Sequence, residues 1–360
     1  MKTLQPWRDP TAVRQLAHTL GTVTRGSWRI MEVCGGQTHA FVRFGIDRLL
    51  PEGVELLHGP GCPVCVTPAG VLDQAIALAV EHDVLLCTFG DMLRVPGSHT
   101  DLLQARARGA HLQVVYSPLD AVALARKHPD QQVVFFGVGF ETTAPTVALA
   151  IEAARASGLD NFSVLASHVL VPPALRAVSS RVDAFLAAGH VCTIEGMAPY
   201  HALSRELGLP IVVTGFEPVD LLRGLLECVR LLEEGRVDAF NAYPRAVRPE
   251  GNPTARAAVA RAFDTTDQPW RGMGTLPDSG LRLRDPAFDA AHRFGLAPRE
   301  GRDDPDCLAG EVLQGLRKPT ACPAFGTGCT PDHPLGATMV SSEGACAAYW
   351  RHRRHSGAPA

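Results

Sequence analysis

Apolar side chains recur three and four residues apart over residues 11–24, the spacing of an amphipathic helix, and the run Trp28-Arg-Ile-Met-Glu-Val33 that follows reads as a short strand. The alternation then repeats. Strands are predicted at 54–57, 84–89 and 112–117, with helices at 69–81 and 100–108 between them. These strands are apolar on both faces and joined through helices, the pattern of a parallel sheet covered on both sides. A second unit of similar size follows. It comprises helix 119–128, strand 132–137, a loop at 139–145 with a helix running on to 157, strand 162–167, helix 173–187, strands 190–194 and 211–215, and helix 217–235. After residue 245 the composition shifts toward Pro, Gly, Arg and Asp, and apart from a helix at 255–263 the remainder is predicted to be loop. Such a segment buries little apolar surface for its length and needs a staple. The expected fold class is α/β: two parallel-sheet, Rossmann-like domains at 1–118 and 119–245, and a small loop-rich domain at 246–360.

Composition narrows the function. Basic residues number 34 against 37 acidic, so the net charge of −3 leaves no nucleic-acid footprint. The one basic stretch, Arg351-His-Arg-Arg-His355, reads as a solvated terminus. The first residues hold no apolar targeting core, and no run approaches the ~20 apolar residues needed to cross a bilayer. A cytoplasmic protein with no membrane partner is expected. In that reducing compartment the 10 cysteines point away from a disulfide framework and toward metal, catalysis or core filling.

Two thiol stretches stand out, Val33-Cys34-Gly-Gly-Gln-Thr-His39 and His58-Gly-Pro-Gly-Cys62-Pro-Val-Cys65. The Gly-Pro-Gly segment cannot continue a strand or helix, so Cys62 and Cys65 are expected in an accessible loop, able to close a disulfide or share a metal. Cys34 follows a predicted strand, and loops after strands gather at the carboxyl edge of an α/β sheet, where ligands bind. Three sulfurs and His39 are therefore expected to converge. Cys307, Cys322, Cys329 and Cys346 each lie among turn formers, where irregular backbone can wrap a structural zinc or an iron–sulfur cluster; the wide gaps between them favour the cluster. Cys87, Cys192 and Cys228 sit in apolar runs and read as core packing.

Taken together, these stretches resemble the HypD family of hydrogenase maturation factors. The likeness rests on Met31-Glu-Val-Cys34-Gly-Gly-Gln-Thr-His39, Gly59-Pro-Gly-Cys62-Pro-Val-Cys65, Phe89-Gly-Asp-Met-Leu-Arg-Val-Pro-Gly97, Phe140-Glu-Thr-Thr143, Gly189-His190-Val191, Gly310-Glu-Val-Leu313 and Met339-Val-Ser-Ser-Glu-Gly-Ala-Cys346, in the family's order along nearly the whole chain. The resemblance implies a scaffold that carries iron with a small HypC-type chaperone, accepts cyanide from a HypE-type donor and builds the Fe(CN)2CO group of nickel–iron hydrogenases. It implies that Cys34 is the iron ligand, that Cys62 and Cys65 form an electron-exchanging dithiol, and that Cys307, Cys322, Cys329 and Cys346 hold a [4Fe–4S] cluster. Asp91, Glu141, Thr142, His39 and His190 are expected around the iron as donors that orient the thiolate or its ligands. As a helix N-terminus, the Glu141-Thr142-Thr143 stretch could equally be capped by Thr142 or Thr143.

Two departures from the family pattern are visible. Gln37 stands where members often have His, and members often carry extra cysteines near Ala309 and Thr338, which leaves four cluster candidates here. Rival readings are an iron–sulfur thiol–disulfide oxidoreductase working through Cys62 and Cys65 alone, in which Cys34 is dispensable, and a zinc-stabilised binding module. A radical enzyme using S-adenosylmethionine is disfavoured, because the chain has no CxxxCxxC.

Overall fold

The computed structural model describes residues 6–353, so Arg354 and His355 of the basic tail lie outside the described residues. Eleven strands among these residues form two sheets: β1 (Trp28–Glu32), β2 (Val54–His58), β3 (Val84–Thr88), β4 (Leu112–Val114), β5 (Gln132–Gly139), β6 (Phe162–Val169), β7 (Ala184–Ala188), β8 (Ile211–Thr214), β9 (Ala239–Asn241), β10 (Phe263–Trp270) and β11 (Gly274–Leu283). The first sheet runs β2-β1-β7-β8-β9 and is parallel throughout. The second runs β10-β11-β6-β5-β3-β4. Its central strands are parallel, and the β10–β11 hairpin is added antiparallel to β6. The α/β class and the parallel sheets expected from the sequence are therefore present.

The sheets divide the chain differently from a break at residue 118. β4 and β5, on either side of that point, belong to one sheet, while β1 and β2 are completed by strands from 184 onward. Two predicted elements also change type. Residues 184–188, expected as the end of a helix, are the central strand β7, because Ala-Phe-Leu-Ala-Ala is buried at every position between β1 and β8. Residues 190–194, expected as a strand, lie in the helix Gly189–Glu195 that turns the chain away at the carboxyl end of β7. The predicted helix near 255 is found at Pro253–Ala262, and the first part of the loop expected after it, residues 263–283, is the β10–β11 hairpin.

One apolar cluster passes between the sheets, joining Met31, Val33 and Leu57 of the first to Phe140, Val169 and Trp270 of the second. The C-terminal segment closes over it. Its last helix, Ala345–Arg353, packs on the helix Gly35–Phe44 through Val42, Ala348 and Tyr349. Arg353 pairs with Asp47, so the described part of the basic run folds back onto the protein rather than standing free. No described helix is long and apolar enough to cross a membrane.

Candidate thiol and metal centre

β1 ends and the chain turns directly into the helix Gly35–Phe44, with Cys34 at its N-cap. The backbone N–H groups of Gln37 and Gly36 point at the sulfur, the end of a helix that favours a thiolate. Burial outweighs them and, with the Glu343 and Glu32 carboxylates adding, pushes the thiol well above its ordinary range. The parallel pairing of β1 with β7 brings a second carboxyl end alongside, and there His190 Nδ1 lies 3.8 Å from Cys34 Sγ. Burial lowers the His190 pKa to about 4, so the ring is neutral at pH 7. Cys34 is only 2 % exposed, yet His190 and Phe216 near it are half-buried and stack at 5.2 Å, which makes a thin cover.

The second thiol stretch packs onto the first. Gly59 N–H donates to Glu32 O (2.8 Å) and Gly35 N–H to Gly61 O (2.8 Å), while a side chain on Gly61 would collide with the Cys34 backbone. Cys62 and Cys65 are joined in a disulfide. The expected open loop is instead a short helix, Pro63–Val66, and Cys62 and Cys65 are buried at 3 % and 0 % exposure. The disulfide is covered by the C-terminal segment, with Val312, Leu313, Glu343 and Ala345 lining the small cavity beside it.

His39 turns away from this meeting. Its Nδ1 lies 3.1 Å from Ser342 O and its ring packs edge-on to His352 at 4.9 Å, so it ties the helix to the C-terminal segment. Gln37 is a joint of the first sheet, its amide donating to the carbonyls of Ala187 (3.2 Å) in β7 and Thr214 (3.3 Å) at the end of β8.

Asp91, Glu141 and Thr142 come from the carboxyl edge of the second sheet. Asp91 stands in the turn Gly90–Arg94 after β3 and is close enough to Glu343 to act on its charge. Glu141 is buried and accepts from Val171 N–H (2.8 Å); Oε2 has no partner. Burial raises its pKa to about 8, and it faces the buried Cys192 rather than forming a hydrogen bond to the Cys34 turn. Thr142 is half-buried beside it, and Thr143, at the N-cap position, makes no side-chain cap. Cys87, Cys192 and Cys228 are all fully buried.

Cys307, Cys322, Cys329 and Cys346 line one small, mainly apolar cavity together with Phe325, Leu335 and Met339. The sulfurs of Cys307, Cys329 and Cys346 accept hydrogen bonds, as thiolates do. Leu335 N–H reaches Cys329 Sγ (3.4 Å), Thr338 O–H reaches Cys346 Sγ (3.2 Å), and Ala309 N–H points at Cys307. Burial nevertheless holds the Cys307 thiol up to about 11 and the Cys346 thiol up to about 12, so the anionic forms need a cation. Among the described residues no three His, Cys, Asp or Glu side chains are gathered tightly enough to hold a single metal ion. Four thiols spread around a cavity fit a polynuclear cluster. Ala309 and Thr338 line the same cavity.

Sequence reasoning missed the hub beneath Cys34. Glu32, fully buried, accepts from Cys34 N–H (2.9 Å) and Thr38 O–H (2.5 Å) and lies 2.7 Å from His58 Nδ1, whose Nε2 is 3.0 Å from the Tyr349 hydroxyl. The signal was a carboxylate inside an apolar strand, which demands buried partners.

Two mostly parallel sheets that bring together a helix-capping thiol, a disulfide and a separate group of four cysteines define an α/β protein rich in placed sulfur. Comparison with known proteins gives the particular family. The sequence profile of the hydrogenase formation hypA family, HypD, matches residues 11–353. The hydrogenase expression/formation protein HupD of Azotobacter chroococcum mcd 1 is 47 % identical over 369 residues, covering 98 % of this chain and 97 % of its own. The hydrogenase maturation factor HypD of Azotobacter vinelandii matches at 47 % over the same shares, and that of Escherichia coli K12 at 45 % over 98 % of this chain and 99 % of its own. The chain belongs to the HypD family of hydrogenase maturation factors.

Proposed function

We propose that the chain is the platform on which an iron ion receives the ligands of an Fe(CN)2CO group before transfer to a nickel–iron hydrogenase. The iron is cargo, bound by the Cys34 thiolate, a soft ligand suited to the low-spin Fe(II) that cyanide and carbon monoxide favour. Gly36 and Gln37 N–H and the neutral His190 ring orient that sulfur, and Asp91 acts through Glu343. A HypC-type chaperone shares the iron, and a HypE-type donor brings cyanide as a thiocyanate. Both meet the protein in the reducing cytoplasm.

Releasing cyanide from a thiocyanate takes two electrons: the S–C bond breaks, cyanide leaves and the donor's sulfur departs as thiolate. Reduced Cys62 and Cys65 supply that pair, losing two protons and forming the S–S bond seen here. A [4Fe–4S] cluster held by Cys307, Cys322, Cys329 and Cys346 supplies electrons singly when bound. The observation that carries the reading is the packing of the disulfide-bearing segment on the Cys34 backbone at the joined carboxyl ends of β1, β2 and β7.

The test is infrared spectroscopy in the cyanide and carbonyl region, with anaerobic iron and sulfide analysis, on the protein co-purified with a HypC-type chaperone. Cys34→Ala is expected to abolish the bands while leaving sulfide content intact. Bands that survive the substitution remove the ligand assignment and leave the thiol–disulfide oxidoreductase, for which Cys34 is dispensable.

A further inference from the structure

Cys34 is buried, yet a sulfur that takes up iron must be reached, so some wall of its seat has to yield. The wall carrying Cys62 and Cys65 is held backbone to backbone, with Gly35 N–H on Gly61 O and Gly59 N–H on Glu32 O, both at 2.8 Å. A second wall is made of side chains. A methyl group on Gly36 would lie 3.3 Å from the Phe216 ring and 3.7 Å from Cys34 Sγ, so ring and sulfur flank the same bare stretch of backbone. Phe216 also backs the His190 ring, 5.2 Å away and tilted by 31°, whose Nδ1 lies 3.8 Å from the sulfur.

Phe216 is itself held by a chain of side-chain contacts that ends near the start of the protein. Tyr243 is wedged between the turns that present Phe216 and His190: a Cβ on Gly215 or Gly189 would meet its ring at 2.5 or 2.6 Å. The Tyr243 ring meets Phe216 edge-on at 6.5 Å. Arg245 lies over that ring (4.4 Å) and over Trp7 (3.6 Å), and is fixed by two hydrogen bonds to the buried Asp220 (2.6 and 2.5 Å). Asp220 also accepts from Glu217 N–H (3.3 Å), directly after Phe216, and both Nε and Nη2 of Arg8 donate to the Glu217 carboxylate. Trp7 and Arg8, just before the helix Pro10–Val23, therefore reach Phe216 along two routes. The Arg8 side chain is 45 % exposed. An exposed ion pair and a surface cation–π contact are each weak, so this fastening is one that a docking partner can undo.

We propose that Phe216 is the gate of the Cys34 seat: its ring closes over the sulfur and holds His190 beside it, and Trp7 and Arg8 latch it shut through Arg245, Tyr243 and Glu217. Release of those two residues frees the ring to swing aside and opens the sulfur to iron. The inference rests on the reading of Cys34 as the ligand of the iron. Phe216 is then a positioning residue, acting through Cys34 and His190 and not on the iron itself.

The experiment is alkylation of the full-length protein by N-ethylmaleimide without reductant, followed by mass spectrometry of the peptides that contain Cys34 and Cys228. Phe216→Ala is expected to label at Cys34 about tenfold faster than the wild type, and Phe216→Leu, which keeps an apolar cover, close to the wild-type rate. The double substitution Trp7→Ala with Arg8→Ala is expected to label about fivefold faster. Cys228, fully buried and bonded to Phe185 O (3.7 Å), should stay unlabelled throughout. A wild-type rate in Phe216→Ala overturns the proposal, and so does labelling of Cys228 that rises in step with Cys34, the result of general loosening. Should Phe216→Ala fail to fold, the double substitution decides it, and a wild-type rate there overturns the gate. No iron enters the measurement, so a failed gate leaves the ligand assignment standing. Infrared bands that survive Cys34→Ala remove the ligand assignment, and the purpose of the gate with it, whatever the labelling rates.

Discussion

At the scale of single residues, two buried carboxylates do different work. Glu32 accepts from the Cys34 N–H and Thr38 O–H and faces His58, so Glu32→Ala strands three polar partners in the core. A loss on the order of 3 kcal/mol is expected, read as a lower urea midpoint. Glu141 instead has a pKa raised from 4.5 to about 8 by burial, which means the folded state holds its proton and the unfolded state does not. Its contribution to stability is therefore whole below the unfolded value and is lost as pH rises through the folded one. Across that window the wild type should lose stability at up to about 1.4 kcal/mol per pH unit relative to Glu141→Gln. Urea midpoints measured at several pH values check it; parallel curves for the two proteins would mean the carboxyl is ionised in the fold.

At the scale of elements, backbone contacts between the two thiol stretches matter more than either stretch alone. Gly61→Ala places a methyl group against the Cys34 backbone, which has no freedom to retreat because Gly35 is pinned to Gly61 and Gly59 to Glu32. Lower thermal stability and faster alkylation of Cys62 and Cys65 after mild reduction are the expected results. Gly21→Ala is the contrasting case, an exposed position inside the helix Pro10–Val23 with nothing near a new methyl. It should stabilise the protein by about 0.5–1 kcal/mol, seen as a higher melting temperature; a decrease would mean that helix is not formed as described.

Elements also show what local pattern can and cannot reveal. The alternation of apolar runs and helical spacing marked β1 through β6 and the longer helices from residue 69 onward, since their burial repeats along the chain, but it did not mark the helices Gly35–Phe44 and Pro63–Val66. It failed at 184–195, where Ala-Phe-Leu-Ala-Ala has the composition of a helix and His-Val-Cys-Thr-Ile that of a strand, and where position in the sheet reversed both. The β10–β11 hairpin was hidden because its exposed face is polar and its partner, β6, lies about 100 residues earlier. At the site, Cys34 and the paired thiols were legible from Gly-Pro-Cys spacing. The contact with His190 was not, because it depends on β7 lying beside β1.

At the scale of the whole molecule, the sheets are interlaced: the chain leaves the first after β2, builds most of the second, returns for β7 to β9, and ends by adding a hairpin to the second. A chain ending at residue 245 lacks β10 and β11, leaves β6 as a bare edge and removes Trp270 from the cluster shared by both sheets. Such a fragment is expected to be insoluble or to bind a hydrophobic dye without a cooperative unfolding transition. Recovery of a soluble, cooperatively melting fragment would mean that the first two-thirds of the chain form an independent body.

The same interlacing fixes an order of events during translation. Cys34, Cys62 and Cys65 emerge from the ribosome early, but the strand between them and β8 begins only at Ala184, and the last strand of their sheet ends at Asn241. For most of synthesis these sulfurs hang on an unfinished surface, without the imidazole that will face one of them. On the proposed reading, a nascent chain has no completed seat for iron until His190 and the strands through Asn241 have emerged, so loading waits until at least two-thirds of the polypeptide has been made.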